Sequence, residues 1–224
     1  MLQHVWERAS AARYLTAVIV ATDDERIAGA ARGFGARVAM TRPDHESGTD
    51  RAAEVASAGE WTLVINIQGD EPLLDPAAID ALILAMREAP DAPMATLSKA
   101  ITNPAEAADP NVVKVVTGRE GDALYFSRAP VPFARDGAAG VRRYKHIGIY
   151  GYKRDFLLAY PELPRGPLEQ AEKLEQLRAL ENGYAIRVVE TDYESVSVDT
   201  PADLERVAGL LARGAALAEE RSHG

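Results

Sequence analysis

From Leu2 to Ala12 apolar and polar residues alternate with the period of a helix, and the apolar run AVIVAT (17–22) that follows has the pattern of a buried strand. That run ends in DDE, acids suited to the start of a helix. ERIAGAARGFGA keeps helical period as far as Gly33 and Gly35, and RVAM beyond them reads as a short strand. TRPDHESGTD (41–50) is too polar and turn-rich for a strand, whereas DRAAEVASA returns to helix and leads into a buried strand over Leu63 to Gln68. A further helix, PAAIDALILAMREA, completes a second strand–helix unit. Alternation of this kind predicts an α/β fold, a Rossmann-like, mostly parallel sheet flanked by helices, with ligands bound beyond the carboxyl ends of its strands.

The second half changes pattern. NVVKVVTGREGDALYFSR reads as two strands joined by a glycine-containing turn, and YKHIGIYGYK as a strand with alternating side chains, so a smaller mixed or antiparallel extension is expected over 113–152. PLEQAEKLEQLRALENG, with proline at its start and glycine at its end, predicts one helix, YAIRVVE a strand, and TPADLERVAGLLARGAAL a last helix. No repeat, low-complexity linker or domain boundary interrupts the chain, which reads as a single domain over 1–224.

Composition narrows the function. The 224 residues suffice for a substantial core. The absence of cysteine excludes disulfides, thiolate catalysis and zinc–sulfur sites. A formal net charge of −9 argues against a broad nucleic-acid-binding surface and leaves anionic small molecules as ligands of a locally basic pocket. No apolar run approaches the roughly 20 residues of a membrane span, and MLQHVWERAS lacks the apolar core of a secretory signal, so a cytoplasmic protein without membrane partners is expected.

The stretch LVINIQGDEP carries the first candidate chemistry. Its strand ends in Asp70 and Glu71, where a parallel sheet opens its ligand crevice. A turn or helix-cap acid is the plainer reading. SVSVDTPADLE sets Asp199 at the same kind of strand-to-helix junction, where it suits an N-cap as well as a ligand. Two such carboxylates suit Mg²⁺, a hard cation held through one or two carboxylates plus substrate phosphates. Ser47, Gly48 and Thr49 precede a helix and offer donors to a nucleotide, or simply cap that helix. His146 and Tyr150 face one side of a strand with Gly148 between them, either as packing or as the wall of a pocket. Arg128, after YFS, suits a carboxylate ligand or a solvated surface.

Taken in order, IVATDD, MTRPDHESGTDR, INIQGDEP, ATL, NVVKVV, ALYFSR, HIGIYGY, PLEQAEKLEQLR and VDTPADLERV resemble the 3-deoxy-manno-octulosonate cytidylyltransferase (CMP-Kdo synthetase) family almost from end to end. The resemblance implies Mg²⁺-dependent transfer of CMP from CTP to Kdo, with release of pyrophosphate, for lipopolysaccharide synthesis. It also implies a homodimer formed through the extension. Asp70 and Asp199 match the family's metal ligands. Arg128, His146, Tyr150, Glu175 and Gln176 match its sugar-acid pocket, and Ser47, Thr49, Arg51 and Gln68 lie in segments around the nucleotide. Alternatives are transfer to a related sugar acid, or a non-catalytic homologue that binds without turnover.

Family members begin with an apolar strand and a loop resembling PAR-x-x-S-x-R-L-P-G-K-P that holds the triphosphate, and Met1 falls just after the place where that loop ends. The expectation is therefore a fragment with a misplaced start, with an unpaired central position in the sheet and poor turnover of CTP by these 224 residues alone.

Overall fold

A computed structural model describes residues 1–135, 140–198 and 200–222, with backbone alone for 213–222. Its first elements are α1 (Leu2–Ser10), β1 (Ile19–Thr22), α2 (Glu25–Gly33), β2 (Arg37–Met40), α3 (Gly48–Ser57), β3 (Leu63–Asn66), α4 (Pro76–Glu88) and β4 (Met94–Ala100). There follow α5 (Pro104–Ala108), β5 (Lys114–Thr117), β6 (Ala123–Ser127), β7 (Tyr144–Lys153), α6 (Arg154–Ala159), α7 (Pro167–Glu172), α8 (Leu177–Glu181), β8 (Ile186–Glu190) and α9 (Pro201–Ser222).

Short polar side chains set several helix starts by accepting from amides that lack an intrahelical partner. Asp24 caps α2 through Arg26 and Ile27, Ser47 caps α3 through Asp50, and Asp75 caps α4 through Ala77. Because Asp75 takes the cap of α4, neither Asp70 nor Glu71 is needed there. Thr200 and Asp203 exchange bonds at the start of α9, where the Asp203 amide donates to the Thr200 hydroxyl at 3.2 Å. The single helix expected over PLEQAEKLEQLRALENG is two helices instead. Lys173 adopts a left-handed backbone (φ 55°) that ends α7. Glu181 folds back to cap the start of α7, accepting from the amides of Leu168 and Glu169 at 2.8 and 2.9 Å, and just past the break the Tyr160 hydroxyl donates to the Glu175 carbonyl at 2.7 Å.

β4 runs parallel to β8, and both β3 and β4 pair antiparallel to β7, so β3, β4 and β8 point the same way around one reversed strand. The β5–β6 hairpin joins the start of β7, and Gly121, with φ 85°, makes its turn. The helix-flanked α/β sheet anticipated from the alternating pattern is present, with an antiparallel member inside it. β1 and β2 form a separate parallel pair, and among the described strands β3 pairs only with β7. A cavity of about 810 Å³ lies between them, lined on one side by Val18 and Val20 and on the other by Val64 and Ile65.

Two cores form on the two faces of the larger sheet. Ala95 and Leu97 of β4 and Ile147 and Ile149 of β7 pack with Ile79, Leu82 and Met86 of α4. Met94 and Tyr152 point the other way, to Ala53 of α3, Phe156 of α6 and Leu177 of α8. Each fully buried aliphatic side chain contributes on the order of 1.5–3 kcal/mol. Gly151 leaves room for the first contact, since a Cβ there would lie 2.4 Å from Met86 Sδ and that side chain would have to shift.

Candidate active site

The second face of β7 builds the site. His146, Tyr150 and Tyr152 project from it, as their even spacing requires, with ring centroids 5.3 Å apart for His146 and Tyr150 and 6.1 Å for the two tyrosines. β7 carries two extra residues, Gly148 and Ile149, opposite the Thr96–Leu97 step of β4. An even insertion preserves the facing of the side chains on either side of it. A Cβ at Gly148 would meet nothing within 4 Å, so no neighbour packs directly against that glycine.

Thr96, fully buried, fills the bulge: its hydroxyl lies 3.1 and 2.9 Å from the Ile147 and Ile149 carbonyls and 2.9 Å from His146 Nε2. A hydroxyl has one proton, and beside two carbonyls that accept only, it goes to one of them. Thr96 Oγ1 therefore accepts from Nε2–H, which leaves the lone pair on Nδ1. Burial pushes the imidazole down to about 3, so the ring is neutral at pH 7. Below pH 6.5 the unfolded chain takes up a proton that the folded one refuses until about pH 3, so this group's contribution to stability is lost across that window as pH falls. Urea unfolding at pH 7 and pH 5 is expected to show a loss about 2 kcal/mol smaller in His146→Phe than in the unsubstituted protein. Equal losses would contradict a neutral buried imidazole.

The break between α7 and α8 brings Glu175 and Gln176 to this face. Tyr150 donates to Gln176 Oε1 at 3.2 Å and the Ser47 hydroxyl donates to Glu175 Oε1 at 3.0 Å, while Thr49 Oγ1 and Tyr152 OH lie 3.4 Å apart. Burial raises the Glu175 carboxyl and the hydrogen bond from Ser47 opposes it. Ser47 thus both caps α3 and ties it to the acidic wall. Gly48 lies against Gln68, whose Nε2 would be 3.6 Å from an added Cβ, and Gly48, Arg51 and Gln68 line one end of the cavity beside β3. Arg51 reaches from α3 to Asp23 at 3.1 Å and to the Thr41 hydroxyl, bridging the β1–β2 pair to the rest of the site.

Arg128 stands apart at the end of β6. Its guanidinium donates to the carbonyls of Glu172 at 2.8 Å and Pro110 at 3.0 Å, whereas Phe126 of the same strand meets the His146 ring edge-on at 5.1 Å. Sequence reasoning passed over the lysine that sets this backbone. Lys114, fully buried, donates to the carbonyls of Asp109, Val112 and Arg128 at 2.8, 2.6 and 2.6 Å, and burial lowers its pKa. A charge inside the apolar run VVKVV was the available signal. Thr96 gave none, since threonine is ordinary in a strand.

At the end of β3 the Asp70 carbonyl accepts from Val198 N at 3.0 Å, drawing the segment after β8 onto the metal candidate. Asp199 lies outside the described residues. Glu71, read from sequence as a turn or helix-start acid, is instead 5% exposed, and Tyr193 OH donates to its Oε2 at 2.7 Å. Burial raises its pKa against that bond. Asp70 Oδ1 is buried without a hydrogen-bond partner. A carboxylate oxygen so placed fits a hard cation, which prefers oxygen donors. Among the described residues no group of three or more His, Asp or Glu side chains could hold a metal by itself.

Residues 1–191 match the cytidylyltransferase family model. The chain is 65% identical over 210 residues to the 3-deoxy-manno-octulosonate cytidylyltransferase of Solibacter usitatus, covering 94% of this chain and 83% of that protein. It is 55% identical to the protein of the same name from Syntrophotalea carbinolica, covering 92% and 86%. A solved structure of CMP:2-keto-3-deoxy-manno-octonic acid synthetase complexed with CTP superposes with a TM-score of 0.91 at 48% identity, covering 95% of this chain and 88% of the other. Fold and likeness agree: the chain belongs to the cytidylyltransferases, in the family of 3-deoxy-manno-octulosonate cytidylyltransferases, and is a nucleotidyltransferase.

Proposed function

We propose that the protein transfers CMP from CTP to the anomeric hydroxyl of Kdo for lipopolysaccharide synthesis, with Mg²⁺ as cofactor. The hydroxyl oxygen forms a bond to the α-phosphorus, the bond to the β-phosphate bridging oxygen breaks, and pyrophosphate and the hydroxyl proton leave. The observation that carries this reading is 65% identity across 94% of the chain to a protein named for that reaction.

The site's own residues supply orientation. Ser47, Thr49 and Gln68 offer donors to the nucleotide at the start of α3 and the end of β3, and Arg51 brings a cation between them. His146, Tyr150, Glu175 and Gln176 offer both donors and acceptors to the hydroxyls of a sugar acid. Holding nucleophile and phosphorus together converts an encounter of two molecules into a step within one complex. Asp70, with Asp199, would hold Mg²⁺, which when bound neutralises phosphate charge and eases loss of the hydroxyl proton.

Leu124, 66% exposed, and Phe133, 85% exposed, lie on and just after the β5–β6 hairpin and support a homodimer formed through 113–152. We place the protein in the cytoplasm, where CTP is available. Protein purified from its native source is expected to release pyrophosphate from CTP only with Kdo and Mg²⁺ present. Release that prefers another sugar acid would reassign the acceptor, and no release with any acceptor would reject the reading.

A further inference from the structure

Between β8 and α9 the chain crosses the sheet end as a strap, residues 191–198, without helix or strand. It is fastened at its start, where Thr191 N donates to the Ser98 carbonyl of β4 at 2.9 Å, and at its end, where Val198 N donates to the Asp70 carbonyl at 3.0 Å. On its solvent side Glu194 pairs with Lys99 at 3.0 Å and with Lys145. On its inner side Tyr193, 7% exposed, reaches the buried Glu71 at 2.7 Å, and Ser195 also bonds to that carboxylate. Glu71 thus joins two strap side chains from beneath, and it adjoins Asp70 in the chain.

We infer that Glu71 is a positioning residue: through Tyr193 and Ser195 it holds the strap against the end of β3, so that the strap's last amide fixes the Asp70 peptide and aims the unpartnered Asp70 carboxylate at a cation. Glu71 itself stays out of the cation's reach, spent on its own hydrogen bonds. A loose strap leaves Asp70 tethered only through the chain, and its carboxylate then samples orientations that do not bind. The inference rests on the proposed role of Asp70 in holding a divalent cation.

The test uses Mn²⁺ as the probe, titrated into the protein with CTP and followed by electron paramagnetic resonance, alongside hydrogen exchange across 191–198. Glu71→Ala is expected to exchange faster at Val198 and to bind Mn²⁺ about 10- to 100-fold more weakly, the range for residues that orient a metal ligand. Glu71→Gln, whose amide oxygen still accepts from Tyr193, is expected to restore both. Should Glu71→Ala fail to fold, Tyr193→Phe removes a single hydroxyl and carries the same expectation. Wild-type affinity in Glu71→Ala or Tyr193→Phe, or a Gln variant as weak as the Ala variant, overturns the inference alone. No Mn²⁺ binding by the unsubstituted protein overturns the assignment of Asp70 and this inference with it.

Discussion

Asp70→Asn is expected to slow cytidylyl transfer by about 100- to 1000-fold and to leave the protein as stable as before, or more so. The two halves of this expectation have one cause. Asp70 Oδ1 is buried and accepts no hydrogen bond, so the substitution removes no stabilising contact of that atom. A buried, unpartnered carboxylate oxygen costs folding free energy, which is tolerated where the group serves a ligand absent from the unfolded chain. The amide is the same size and preserves the Val198 bond, which uses the backbone carbonyl. What is lost is the negative charge a divalent cation requires. Pyrophosphate release at saturating CTP and Kdo, with thermal melting in the absence of metal, separates the outcomes. Normal turnover would remove Asp70 from the site, and a large fall in melting temperature would make it a structural acid.

Glu169→Ala is expected to cost about 3–5 kcal/mol, the largest stability loss predicted for a residue outside the apolar core. Glu169 and Arg178 are 8% and 3% exposed and meet through two bonds of 2.9 and 2.6 Å. Truncating Glu169 leaves the guanidinium buried without its hydrogen-bonded counter-charge, with the Glu175 carboxyl and the Tyr160 ring at 5.1 Å as its remaining favourable neighbours. For a chain of this size the melting temperature should fall by about 6–20 °C. Glu169→Leu combined with Arg178→Met should recover most of the loss, because desolvation of the pair offsets much of its attraction. If the single and double variants melt alike, the pair is not what holds the segment. Activity should fall as well. Tyr160 lies under Arg178 and donates to the Glu175 carbonyl, so the ion pair supports the break that places Glu175 and Gln176.

The helices with clean periodicity and a capping residue were legible from the sequence, as α2 after Asp24 and α4 after Asp75 illustrate. So were the apolar strands β1, β3, β5, β7 and β8, and the shared facing of His146 and Tyr150, because a period of two is a local property. β4 was not anticipated: in MATLSKA the residues Thr96 and Ser98 interrupt the apolar pattern, yet both are buried, the Thr96 hydroxyl satisfied by carbonyls of the neighbouring strand. The split of the expected helix at Lys173 was equally hidden. Its periodicity is helical on either side of the break, and the bond beside it comes from Tyr160, remote in the chain, while Glu181 folds back to cap the start of α7.

What the sequence by itself determined is the class of the fold, the ends of the strands that could carry chemistry, and, through ordered short motifs, the family. These are consequences of local pattern, which the chain carries wherever it lies. Only the tertiary structure decided that a reversed strand runs between β3 and β4, that Ser47 meets Glu175 and Tyr150 meets Gln176, and that Glu71 belongs to the strap rather than to a helix cap. Each is a contact between residues 26 to 128 positions apart, whose burial and hydrogen bonding exist only once separate segments are packed together.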